Sequence, residues 1–233
     1  MAMFNKLVSR YAIPTALIAC AVCCALVIRA EEPHSPNVAK LVEESIKKKA
    51  VIESGWFQRR VSGGVERWDY VNPLLDSDVP EALAHIKKHT DYTSYHLLMA
   101  LRKFYASSYK DVPNENKSAI LCSALTKTTG LNDWGNLGPS GSYDDESAEA
   151  LLATGKAALK RLAPILDDAS EAPLFGSEAA TMSDVYRYRR KDFAYRYASL
   201  LLGKSPVFRA EPKERDQDIE ALKAELKKRV PPK

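Results

Sequence analysis

A chain of 233 residues with 45% hydrophobic residues suits one medium domain, or one domain with appendages, and can bury a real core. Its formal charge of +4 falls to +1 beyond residue 30, because Lys6, Arg10 and Arg29 lie in an acid-free opening, so whole-molecule attraction to nucleic acid or anionic lipid is excluded. Cys20, Cys23 and Cys24 lie in that opening too, which leaves Cys122 alone in the remainder and excludes an intramolecular disulfide framework or a cysteine metal cluster there.

Residues 1–30 have a basic start, an uncharged run from Tyr11 to Ile28 and the small residue Ala30 before a polar stretch, the layout of a secretory leader. Export is therefore expected, to a periplasmic or extracellular location. Two alternatives keep the chain at a membrane: an uncleaved anchor through residues 11–28, or lipidation at Cys20 in "LIAC". A polar linker over 31–37 then leads into a single α-helical domain over 38–230, with irregular loops at about 129–145 and 166–183.

Within the domain, Ser35 and Pro36 supply an N-cap and an N1 proline for a first helix carrying Val38, Leu41, Val42 and Ile46 at helical spacing. Gly63-Gly64 separates two stretches rich in aromatic and β-branched residues, which predicts either a small β-hairpin near 56–71 or an irregular excursion docking Trp56, Phe57 and Trp68. Asp78-Val79-Pro80 opens a helix to about 89, and Asp111-Val112-Pro113 repeats the device 33 residues later. Between them a longer helix is expected over 91–107; a further one runs from Pro113 to Thr128, stopped by Gly130. After the glycine-rich loop, Asp144 or Asp145 caps a helix to about 166 that contains Gly155, at a cost of about 1 kcal/mol relative to alanine. Thr181 and Asp184 form a capping-box pair for a helix to Leu202, with Gly203 as its C′ residue, and a last helix spans about Pro212 to Arg229. The sum is an all-α fold of seven or eight helices, packed as an antiparallel bundle or a short α–α stack.

The segment "RRKDFAYRYASLLLGKSP" (189–206), with its arginine-aspartate pair and terminal glycine, resembles the second helix of HEAT-type units. The resemblance covers about eighteen residues. It implies α–α stacking and carries no chemistry.

Few residues carry a catalytic pattern. His85 and His89 are four apart on one helix, but the glutamate of a zinc-protease motif is absent and Lys87 and Lys88 oppose a dication, so no metal is expected. Ser140 in "GPSGS" lacks the second glycine and the strand of a nucleophile elbow. No phosphate loop, dinucleotide fingerprint or calcium loop occurs, and no cofactor is expected. Two features remain. Residues 131–184 hold ten acids and three bases, whereas 185–215 hold nine bases and three acids, so the blocks are expected to pair internally or across a self-association interface. Arg187 and Arg190 are the basic residues singled out; an anionic glycan or lipid is a second partner class, with nucleic acid disfavoured. The other feature is the long loop, where Trp134 and Tyr143 offer amphipathic surface beside Asp133, Asp144 and Asp145. With no catalytic residues assigned, the expected role is an exported, non-enzymatic domain for protein binding or self-association. The alternative is a cell-envelope hydrolase of glycans or peptides with its site at 129–145.

Overall fold

The computed structural model describes residues 35–47, 57–62, 65–70, 72–135, 137, 145–171, 174–175, 177–207 and 209–229. Residues 1–34, with the expected leader and the first part of the expected 31–37 linker, lie outside the described residues, while Ser35, Pro36 and Asn37 form the cap and start of the first helix. From Ser35 onward the chain is mostly helical, and ten α-helices occur among the described residues. None of them is long and apolar enough to cross a membrane.

Helix α1 spans Pro36–Lys47, with proline at its first turn and the Val38 N–H donating to Ser35 Oγ at 3.4 Å, as an N-cap should. A two-stranded antiparallel hairpin follows, β1 (Phe57–Ser62) paired with β2 (Val65–Tyr70), so the hairpin reading of the Gly63-Gly64 stretch holds. A 3-10 turn at Asp76–Asp78 leads into α2 (Val79–Lys88). Asp78 does not sit as an extended N-cap of α2. Its carboxylate accepts from the Leu75 N–H, from Ser35 Oγ and from Asn37, and so ties α1 to the start of α2. The Ser35 N–H adds a bond to the Glu81 carboxylate.

The expected helix over 91–107 is in fact three pieces: a 3-10 turn at Tyr92–Ser94, α3 (Tyr95–Phe104) and α4 (Ala106–Asp111). Tyr105 breaks it with an extended φ of −132°, held by its hydroxyl donating to the Leu74 carbonyl and accepting from Asn72. All seven residues from Tyr95 to Leu101 are buried, the mark of a helix at the centre of its domain. Helices α1, α2 and α5 (Asn114–Lys127) pack around it. The second aspartate-valine-proline triplet works differently from the first: Asp111 ends α4, and Pro113 precedes α5.

The expected helix over 145–166 is also broken. Gly155 adopts φ +63°, ψ −135°, and separates α6 (Glu146–Leu152) from α7 (Lys156–Leu162), which runs on as a 3-10 turn at Ala163–Asp167. Helix α8 (Ser177–Tyr186) begins before Thr181, so the Thr181–Asp184 capping box is not formed. Arg187, at φ +51°, ends it, and α9 (Arg190–Leu201) starts afresh behind an Asp192 side chain that accepts from the Arg189 N–H. Gly203 is the C′ residue that the sequence predicts, at φ +73°, with the Lys204 and Gly203 N–H groups donating to the Ser199 and Leu200 carbonyls. Helix α10 (Pro212–Arg229) buries Ile219, Leu222 and Leu226 against α9 and the 163–167 turn.

Candidate functional site

The described start of the glycine-rich loop turns inward. Leu131 and Trp134 are 0% and 1% exposed, and Trp134 packs its ring 6.2 Å from that of Tyr197, whose hydroxyl donates to the Trp134 carbonyl. Burial in this setting drives the Tyr197 hydroxyl far above its ordinary pKa. The Trp134 indole N–H is buried with no acceptor among the described residues. Asp133 is half-buried, and its charge adds to the burial that raises Tyr95, whose hydroxyl meets Ser147 at 2.6 Å. Asp145 stands as the N-cap residue of α6, while Tyr143, Asp144 and Ser140 lie outside the described residues.

The two irregular loops meet, although one unbroken helix of roughly twenty residues between them would hold them about 30 Å apart. The Asn132 side-chain amide donates to the Phe175 carbonyl and accepts from the Phe175 N–H, each at 2.8 Å. The break at Gly155 separates α6 from α7, and the two pack independently against α5 instead of running on as one helix. Asp167, however, is engaged by Lys223 at 2.5 Å.

Both arginines read as binding residues have internal partners. Arg187 pairs with Glu171 at 2.7 Å, a direct link between the acidic and basic blocks. Arg190 donates to the Leu125 and Thr128 carbonyls at the end of α5 and to Ser170 Oγ. Other pairs use a partition the block counts did not suggest. Asp216 in α10 takes Arg189 and Lys191 at 2.9 and 2.8 Å. Asp192, 3% exposed, takes Arg189 at 2.8 Å and lies 3.3 Å from Arg215 Nε. Arg215 also donates to the Tyr186 and Arg187 carbonyls that end α8. On the acidic side, Glu146 and Glu149 pair with Lys103 and Arg102 of α3.

His85 and His89 stack ring on ring at 4.4 Å, and His96 lies apart from them, its Nδ1 2.8 Å from Ser45 Oγ. Among the described residues no three metal-ligating side chains cluster. Burial pushes the Cys122 thiol up to about 12, against the lowering influence of Arg161, so the thiolate is scarce at neutral pH.

An open groove of about 760 Å³ lies between α5 and α7, where no candidate was placed from sequence. Its α5 wall is Ala119, Cys122, Ser123 and Thr126, small side chains at i, i+3, i+4 and i+7 on one helical face, and it is their smallness that leaves the space open. Glu115 extends that wall, and Thr90 and Asp91 adjoin it. The opposite wall carries Lys156, Lys160 and Arg161 of α7, then Pro164, Ile165 and Asp168. Arg190, by bonding both the C-terminal carbonyls of α5 and Ser170, holds the far ends of the two walls together. Lys156, Lys160 and Arg161 are exposed and have no acid within ion-pair distance among the described residues. They are also the three bases of the acidic 131–184 block. The sequence signals that could have found the groove are the small-residue stripe on α5 and the survival of three clustered bases amid ten acids.

No family model, no curated protein and no solved structure matches the chain.

Proposed function

We propose that this chain is an exported, non-enzymatic helical domain that binds a protein partner in the groove between α5 and α7. One observation carries the reading: Lys156, Lys160 and Arg161 line a preformed groove with no acid within ion-pair distance among the described residues, whereas Arg187, Arg189, Lys191, Arg209 and Lys223 each have one. Unpaired cations along a concave wall are a standing electrostatic invitation to a partner, and they steer association as well as hold it. The groove also has the size range of a ligand site. Export rests on the leader-like opening of the sequence. The hydrolase reading loses the support of Trp134, because a tryptophan that is 1% exposed against Tyr197 has no face to stack on a sugar or peptide.

A photo-crosslinking amino acid placed at Thr126, inside the groove, and at Lys40, on the exposed face of α1, tests the proposal in the cells that make the protein. A discrete adduct with one partner protein, or with a second copy, is expected from position 126 and not from position 40. Equal adducts from both positions, or none from 126, would overturn it.

A further inference from the structure

The charges of the groove are arranged across its width. Lys156, Lys160 and Arg161 stand on the α7 wall, while Glu115 and the adjoining Asp91 stand on the α5 side. Asp91 accepts from the Thr93 N–H and hydroxyl, and Glu115 is exposed. These opposite charges belong to one groove, yet among the described residues no pair of them comes within ion-pair distance. Asp168, on the α7 side, has its carboxylate engaged by the Ser170 N–H and hydroxyl, and the other charges face one another across the cleft, which favours an occupant that is itself charged on two sides. A uniform polyanion, whether a sulfated glycan or an anionic lipid surface, would meet the carboxylates of Asp91, Glu115 and Asp168 as well as the cations.

From Glu115 to Thr126 the α5 wall is twelve residues of helix, and its eleven steps at 1.5 Å span roughly 16 Å, room for about five residues of extended chain at ~3.3 Å. In an extended segment, successive side chains point to opposite sides. We therefore propose, resting on the groove as the binding surface, that it holds an extended peptide segment of a partner protein with alternating charge, its acids facing Lys156, Lys160 and Arg161 and its intervening neutral or basic residues facing Glu115 and Asp91. Thr90, Ser123 and Thr126 line the groove as well; Ser123 Oγ accepts from the Tyr92 N–H and Thr126 donates to the Ser123 carbonyl, which leaves the Ser123 proton and the Thr126 lone pairs for the backbone of such a segment.

The test is selection of a phage-displayed random heptapeptide library on the full chain, with heparin as a competing polyanion. Enriched peptides are expected to carry acids at every second position, to bind about tenfold more weakly to Lys156→Glu/Lys160→Glu/Arg161→Glu, and to resist heparin. Because those three residues are exposed, the triple variant should fold; Thr126→Trp, which fills the groove without touching its charges, is the second probe and should abolish binding. If the enriched peptides lack alternating acids but still lose binding in Thr126→Trp, the alternating-charge segment is wrong and the groove stands as a binding surface. If they bind Thr126→Trp as well as the wild type, or if nothing is enriched, the groove reading falls with it. Displacement of every selected peptide by heparin would assign the groove to polyanions instead.

Discussion

Asp78 is 5% exposed and accepts three hydrogen bonds, from the Leu75 N–H, Ser35 Oγ and Asn37. Burial alone would raise its pKa, but those bonds outweigh burial and hold the carboxyl below its ordinary value. A carboxylate whose folded pKa is depressed stabilises the fold in full above its unfolded value of about 3.9, and the contribution is lost as pH falls through the folded value. Asp78→Asn, which keeps the shape and removes the charge, should cost about 2 kcal/mol at pH 7, or a Tm lower by roughly 4–8 °C in a chain of this size. Thermal melts of both proteins from pH 7 to pH 2.5 check it. The gap is expected to close below pH 4; a gap that stays constant would mean that the amide nitrogen's mismatch with the donors around it, not the lost charge, sets the cost. The sequence singles out Asp78 through its proline and glutamate neighbours, yet only as a local cap. Two of its three donors, Ser35 and Asn37, lie more than forty residues away, and no local pattern carries that.

At the scale of elements, hydrophobic spacing predicts the helices well where one face is buried, as in α1, α2 and α10. The breaks are harder to read. Gly155 looks like a tolerated glycine inside a helix, because neither a proline nor a turn dipeptide marks it. At φ +63° it ends α6 and starts α7, which packs on α5 with Lys156, Lys160 and Arg161 along the groove. The break after α8 is less legible still, since Arg187 at φ +51° is a side chain in a glycine-favoured region. Its conformation is held by Glu171 and by Arg215, which takes the Tyr186 and Arg187 carbonyls from 29 and 28 residues away. Gly155 offers a test of sign. If it were an ordinary helix residue, Gly155→Ala would stabilise the protein by about 1 kcal/mol. A Cβ there meets no atom within 4 Å, so space is no objection, but the positive φ strains any other residue. We expect Gly155→Ala to destabilise by about 1–3 kcal/mol in urea unfolding, and to weaken groove binding because α7 is re-aimed. Stabilisation would mean that α6 and α7 form one helix.

For the whole molecule, the narrow apolar stripe of the last helix turns inward: Ile219, Leu222 and Leu226, 2–4% exposed, close the domain over α9 and the 163–167 turn. The same helix supplies Asp216, Asp218 and Glu225 to Arg189, Lys191, Arg209 and Lys204. The charge imbalance of residues 185–215 is thus met in large part by the segment that follows it, not by the acidic segment before it, and that leaves the acidic segment's own three bases free on the groove wall. The candidate loop illustrates the same limit of local reading, because an exposed and a buried tryptophan look alike in sequence until Tyr197 is seen beside Trp134. Removing residues 212–233 should therefore do more than alter association. Three aliphatic side chains at about 1.5–3 kcal/mol each, roughly 5–9 kcal/mol together, are comparable with the whole stability of a typical domain, about 5–15 kcal/mol. The truncated chain is expected to lose its cooperative thermal transition and to bind a hydrophobic dye, while Leu222→Ala alone costs about 2–4 kcal/mol and keeps the fold. Light scattering on both separates the two roles of the helix. If truncation leaves a cooperative melt and changes only the mass in solution, α10 is an association element resting on a domain complete without it. If the melt is lost and Leu222→Ala remains monodisperse at the mass of the full-length chain, the helix belongs to the core, and the surface that meets a partner lies elsewhere, at the groove.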